Sequence, residues 1–343
     1  MLTNEKKSFK KRKNNKEGEA MKDGVYFNLP DEEYHSEKRL SASGIKQILN
    51  SPTEYWFNSR LNPLYEENKS EGLTDGTILH GLVLEPEKFV EKFAVPSKEV
   101  EALNKNTNAF KEWRAANEGT GKRILTLAKY KKFKTITAYL SQKGQVLDCG
   151  LFQGGRSEVS VFWTEGGIKR KARFDYLSSG RIVDLKTFAM RQNTDFSDHI
   201  RRYFYSFRVY IQMIYYLRAF NFAKAEGLPV KGTAADVEFW EGLPENPLLF
   251  VVFLNREMPQ GCFKAFLKEK CPDLWRMGEN QIEKAEMLYS DYMANYGEKS
   301  AWLQDTRELA ADAIFTDENF PQSFYERLRD GGNGDLSELR DDV

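Results

Sequence analysis

Three short segments joined by tight turns, within residues 158–187, constrain the fold more than anything else in the chain. Residues 158–164 (EVSVFWT) and 168–177 (IKRKARFDYL) alternate in polarity and favour β-branched and aromatic types. Glu165-Gly166-Gly167 supplies the first turn and Ser178-Ser179-Gly180 the second, and residues 181–187 (RIVDLKT) make a third strand. Connections this short join antiparallel neighbours, so the segment predicts a β-meander. A further run, 248–254 (LLFVVFL), is apolar throughout, which is the pattern of a strand covered on both faces.

The remaining periodicity is helical. Ser41 and Ser43 precede Ile45, Ile48 and Leu49, which reads as a capped helix that Pro52 punctuates, with a second short helix over 53–60. Residues 74–84 (TDGTILHGLVL) place Ile78, Leu79, Leu82 and Val83 toward a core, and Pro86 ends that helix. Residues 98–142 are polar, dotted with aromatics and mostly helical in character. Residues 196–223 are helical and rich in Tyr and Phe, and 272–296 form a long amphipathic helix. No internal repeat is evident. The expectation is an α/β fold: a central mixed β-sheet with an antiparallel meander, flanked by helices. The domain spans 23–300, between a disordered basic tail (1–22) and a C-terminal segment (301–343) with a flexible Gly- and Asp-rich end.

Composition narrows the function classes. The 51 basic and 51 acidic residues cancel, which speaks against a passive DNA coat, normally basic. It leaves room for a local basic groove around an acidic centre. No apolar run approaches the roughly 20 residues that a membrane helix needs. The N-terminus (MLTNEKKSFKKRKNNKEGEA) is basic with no apolar stretch behind it, so no secretory signal is expected. Its cluster from Lys6 to Lys13 reads as a solubilising tail or as a phosphate-binding arm. Cys149, Cys262 and Cys271 are scattered and form no CxxC pair, so neither a zinc knuckle nor a disulfide framework is implied. A reducing cytoplasm is the simplest home.

Candidate chemistry gathers on the second and third strands. Residues i and i+2 of a strand share a face, so Asp184 and Lys186 point the same way. Asp175 lies nine residues earlier, across the second turn, where hairpin pairing can bring its carboxylate beside that of Asp184. Two hard oxygen ligands and a cation at one spot suit magnesium-assisted phosphodiester hydrolysis. A surface hairpin with an ordinary Asp–Lys ion pair would show the same residues. Val183 and Leu185 face the opposite layer, so the charged pair needs a reason if helices cover both sides.

Several motifs in order resemble the PD-(D/E)XK nuclease superfamily, and more narrowly the RecE-type exodeoxyribonuclease VIII group, related to RecB-type nuclease domains. Leu40-Ser41-Ala42-Ser43-Gly44-Ile45-Lys46 with Ser51-Pro52 resembles that group's opening helix. Gly76-Thr77-Ile78-Leu79-His80 with Leu84-Glu85-Pro86-Glu87-Lys88-Phe89 resembles its histidine motif. Glu158-Val159-Ser160 resembles the first core strand. Arg173-Phe174-Asp175 and Val183-Asp184-Leu185-Lys186-Thr187 resemble the two acidic motifs, and Gln212-Met213-Ile214-Tyr215-Tyr216 fits the QxxxY motif.

The resemblance covers about residues 26–300 and implies a restriction-endonuclease-like core. It implies that His80, Asp175, Asp184 and the backbone carbonyl of Leu185 hold Mg2+, with Mn2+ as a substitute, and that Lys186 orients or activates the attacking water. Glu158 would bind a second metal or fix the lysine, unless it is merely an exposed strand-start glutamate. Gln212 and Tyr216, four apart on one helix face, would contact DNA phosphate or buttress the site. Arg173 and Thr187 would bind phosphate.

By the same resemblance the chain is a phage-type recombination exonuclease, cutting linear double-stranded DNA from its ends in the 5′ to 3′ sense inside a bacterial cell. It would form a homo-oligomer and work beside a RecT-type annealing protein. Three scattered cysteines exclude the iron–sulfur subtype. No P-loop occurs, so cleavage should not need ATP. A nicking or structure-specific endonuclease on the same core, and a DNA-binding or assembly module with an inactive site, remain as alternatives.

Overall fold

A computed structural model describes residues 20–65, 75–103, 105–190 and 194–303. Contacts divide the chain into Met1–Ala301 and Trp302–Val343. Of the second unit only Trp302 and Leu303 are described, and the strands and helices below all belong to the first. The Lys6–Lys13 cluster and nearly all of 301–343 lie outside the described residues.

In chain order the strands are β1 (Gly24–Tyr26), β2 (Phe93–Ala94), β3 (Arg123–Ile124), β4 (Arg156–Glu165), β5 (Ile168–Ser178), β6 (Arg181–Phe188), β7 (Val230–Lys231), β8 (Leu248–Asn255) and β9 (Gly261–Phe266). The helices are α1 (Asp31–Ser36), α2 (Ala42–Asn50), α3 (Pro52–Phe57), α4 (Asp75–Leu84), α5 (Phe89–Lys92) and α6 (Lys98–Glu101). They continue with α7 (Asn108–Glu118), α8 (Leu127–Leu140), α9 (Phe196–Ser206), α10 (Val209–Ala225), α11 (Ala234–Glu241) and α12 (Pro272–Tyr296).

Seven strands form the main sheet in the order β7-β1-β4-β5-β6-β8-β9. The β4–β5–β6 meander is antiparallel as its turns require. Gly166 and Gly167 both take positive φ (57° and 80°), the combination a two-residue hairpin loop needs. β8 runs parallel to β6 and β7 parallel to β1, so the sheet is mixed. β1, β7 and β9 were not expected. β1 and β7 are two- or three-residue strands whose pairing is decided by partners far away in sequence, and β9 alternates weakly.

Each face of the sheet is covered. Val183 and Leu185 of β6 and Val252 and Leu254 of β8 pack with Ile78, Leu79, Phe133 and Ile136 from α4 and α8. The other face receives α10, which is apolar nearly all round because it lies between the sheet and helices α2 and α12. Tyr215 meets Trp163 of β4 and Tyr216 meets Phe174 of β5, with ring centroids 5.3 and 5.4 Å apart. α12 approaches α10 closely at Gly278, where a Cβ would lie 2.5 Å from Ile214 Cδ1. The helical stretch expected over 196–223 is two helices. Arg208 breaks it in a left-handed conformation (φ 47°, ψ 46°), held by bonds from its guanidinium to the Lys46 carbonyl and Asn50 Oδ1.

Candidate active site

Glu158, Asp175 and Asp184 stand in one row across three adjacent strands. The β4–β5 register pairs Ser157 with Tyr176 and Val159 with Phe174, which sets Glu158 opposite Asp175. The β5–β6 register ends at Tyr176 with Val183, which sets Asp184 opposite Asp175 on the other side. Neither opposed pair belongs to its ladder. On β4, Glu158 adopts φ 54°, a left-handed conformation that a non-glycine residue holds only at a cost of about 1–3 kcal/mol. On β6, the Leu185 N–H donates to Asp175 Oδ2 at 2.7 Å, so a carboxylate takes it up and no β5 carbonyl does. The sheet is opened at the one row that carries three acids.

Helix α4 brings His80 to this opening. One ligand atom each of His80, Glu158 and Asp175 lies within 4.8 Å of the others. These donors line a cavity of about 640 Å³ together with Thr77, Glu85, Lys92, Arg173 and Tyr216. Asp184 is not in that trio. Its fully buried carboxylate accepts at Oδ1 from Lys186 Nζ (3.0 Å) and Gln212 Nε2 (2.7 Å). Oδ2 lies 2.8 Å from the same ammonium, yet no hydrogen bond of proper geometry reaches it. The Lys186 ammonium is therefore the charge partner of both Asp184 oxygens, and Oδ2 keeps a lone pair free for a further donor or cation. The donor set of His80, Glu158 and Asp175, one imidazole and two carboxylates, fits a divalent ion of the magnesium–manganese type. His80, Glu158 and Asp175 would hold the ion, with Asp184 Oδ2 as the further oxygen.

The electrostatics agree with that fit. Burial, then the charge of Asp175, pushes Glu158 up to about 8. Burial and the nearby Asp184 raise Asp175 as well. Without a cation the row therefore retains protons that a metal would displace. Burial alone would pull Lys186 down, but the charges of Asp184 and Asp175 outweigh it and raise it, so Lys186 is a firm cation. It is suited to holding an anionic or polar group in place, not to removing a proton.

Gln212 and Tyr216 buttress the row, since Gln212 Nε2 donates both to Asp184 and to the Tyr216 hydroxyl (2.8 Å). Arg173 lines the cavity, but its guanidinium is engaged by Ser160, Asp31 and the Leu29 carbonyl and lies 4.1 Å over the Tyr34 ring. Thr187 is half-buried and pairs with Leu254 of β8; by strand alternation it points away from the Lys186 face. What places Leu185 at the site is its N–H on Asp175. Glu85 had no role in the sequence reading. It is buried on the cavity wall between Lys88 and Lys92, whose ammonium groups overcome the effect of burial and lower it. Its position directly after the helix that carries His80 was the available signal. Lys46 was also passed over, and burial followed by the charge of Lys186 brings it down to about 8.

Residues 41–231 match the sequence profile of the PDDEXK-like domain of unknown function (DUF3799). The chain belongs to this family. More than half of its residues fall within the match, which takes in His80, the carboxylate row, Lys186 and the Gln212–Tyr216 pair. The α/β core expected from sequence is thus the PD-(D/E)XK nuclease-type domain, with its mixed sheet and flanking helices. No curated protein matches the chain. Among solved structures, a crystal structure from Eubacterium rectale named "Putative exonuclease" overlaps with a TM-score of 0.44 at 14% identity, covering 82% of this chain and 92% of that one. Two structures of Rai1 from Scheffersomyces stipitis overlap with a TM-score of 0.22 at 11% identity, covering 80% of this chain and 75% and 77% of theirs. Overlaps this loose carry no functional argument.

Proposed function

We propose that this chain is a metal-dependent, ATP-independent exodeoxyribonuclease that hydrolyses linear double-stranded DNA from its ends. The observation that carries the reading is the opened row Glu158–Asp175–Asp184, with His80 beside Glu158 and Asp175 and the half-buried Lys186 cation on Asp184. A divalent ion, Mg2+ or Mn2+, would supply charge against the phosphate in the transition state and acidify a coordinated water. The chain's own residues do the rest. Gln212 fixes the Asp184 carboxylate and Asp184 fixes the Lys186 ammonium, so a phosphate oxygen or water meets a preset cation at no reorganisation cost.

Action from ends, the 5′ to 3′ sense, a phage-type recombination role in the bacterial cytoplasm, a homo-oligomer and a RecT-type partner rest on the resemblance to RecE-type nucleases. No helix among the described residues is long and apolar enough to cross a membrane.

The test is digestion of a linear duplex and a covalently closed circle with Mg2+ and no ATP, beside Asp184→Asn. Loss of the linear substrate alone, dependent on Asp184, is the expected result. Cutting of the circle would make the chain an endonuclease. No cutting of either, with DNA still bound, would make it a binding module.

A further inference from the structure

The last turn of α9 and the link into α10 present two rings that the fold leaves uncovered. Tyr205 and Phe207 are 61% and 59% exposed, while neighbouring Tyr210 and Phe253 are buried. Each exposed ring is backed by another. Phe207 lies on Tyr203 with centroids 4.4 Å apart, and Tyr203 reaches Phe253 of β8 at 6.1 Å. Tyr205 lies nearly parallel to Tyr210, 6.3 Å away.

The turn is also clamped. The Arg208 guanidinium donates to the Lys46 carbonyl and to Asn50 Oδ1, and Lys46 Nζ returns a bond to the Phe207 carbonyl at 3.3 Å. Arg208 is held there in a left-handed backbone conformation. Lys46 and Arg208 place two cations beside the rings. Gln212, one turn into α10 from Arg208, donates to Asp184 at 2.7 Å, so the turn borders the carboxylate row.

We infer that this turn is a stacking platform for unpaired nucleotides of the strand being cut. Phe207 and Tyr205 take base faces, and Lys46 and Arg208 take the adjoining phosphates. Bases inside a duplex already cover each other's faces, whereas an unpaired base offers its π-face to an aromatic ring. The occupant is therefore single-stranded: the duplex end is opened where it meets the site. This rests on the nuclease reading and specifies the form of its substrate.

The experiment measures the anisotropy of a short fluorescent oligothymidylate against the full chain, with calcium in place of magnesium. Phe207→Ala should weaken binding roughly tenfold or more, the usual effect of losing one stacked base, and Phe207→Trp should restore it. Tyr205→Ala should act in the same direction. Both side chains are exposed, so the circular dichroism and melting of the variants should match the parent.

A parent protein that cuts linear DNA but binds the strand no better than Phe207→Ala overturns the platform and leaves the nuclease standing. A parent that binds through Phe207 but cuts nothing keeps the platform and removes the nuclease. A Phe207→Ala variant that changes mass in light scattering with unaltered strand affinity makes the rings a contact between copies, and overturns the platform.

Discussion

Removing metal from the carboxylate row should make the protein's stability fall as pH rises from about 5 to about 8. Glu158 is the group that sets the window, since its folded-state value is about 8 against an ordinary 4.5. Below the lower value the group is protonated in both states and its contribution is fully present. Between the two values the unfolded chain releases the proton and the folded chain keeps it, so stability drains away as pH climbs and levels off above about 8. Asp175 is raised too and adds in the same sense. At about 1.4 kcal/mol per unit, the Glu158 shift alone has a ceiling of about 5 kcal/mol. Partial solvent contact and the sharing of charge with Asp175 bring the working figure to about 3 kcal/mol. For a chain of this size that is a fall of roughly 4–5 °C in Tm.

Other groups do not blur the window. Burial brings Lys46 and Lys171 down to about 8, so below that pH both are protonated folded and unfolded alike. Above about 8 they act the other way, adding stability as pH rises, which places the metal-free minimum near pH 8. A divalent ion needs the carboxylates ionised, so its stabilising effect should grow across the same range. The assay is thermal unfolding in EDTA and in excess Mg2+ from pH 5 to 8.5, with Glu158→Gln alongside. The glutamine keeps the size and removes the charge, so in EDTA at pH 8 it should melt higher than the parent and show a flatter profile. A parent Tm that is level or rising between pH 5 and 8 in EDTA, or a Glu158→Gln protein that melts lower at pH 8, would refute the reasoning.

Three further outcomes are expected. Asp184→Ala takes the buried carboxylate from the half-buried Lys186 cation and should cost about 2–3 kcal/mol, read as a depressed Tm; adding Lys186→Met should recover part of it, and a double variant no more stable than the single would show that the ion pair is not what was lost. Because His80 offers a nitrogen, calorimetric titration should find Mn2+ bound more tightly than Mg2+, with the gap narrowed by His80→Ala; an unchanged gap would take His80 out of the metal set. Gly278→Ala should cost about 1–3 kcal/mol by urea unfolding, since its Cβ meets Ile214 Cδ1 at 2.5 Å and the buried Tyr210 ring at 3.1 Å; a neutral result would mean that α12 can move off α10 freely.

Where local pattern decided the structure, the sequence was a sufficient guide. The glycine turns set the meander, the alternation Val183-Asp184-Leu185-Lys186 assigned two residues to the α4–α8 layer and two to the α10 side, and the QxxxY spacing put Gln212 and Tyr216 on one face, where one amide joins both hydroxyl and carboxylate. What escaped was fixed by groups distant in sequence. Arg208 breaks a continuous helical pattern because Lys46 and Asn50, about 160 residues earlier, accept its guanidinium. Arg173 alternates onto the face of Asp175 as expected, but its donors are taken up by Asp31, Leu29 and Ser160, which turns an expected phosphate contact into a strut. The division of the acids was illegible for the same reason. Pairing arithmetic sets Asp175 opposite both Glu158 and Asp184, but only the left-handed turn of Glu158 gathers it with His80 and Asp175, while Lys186 and Gln212 hold Asp184. A strand register states which residues are neighbours; which of them share a cation is settled by where the ladder fails.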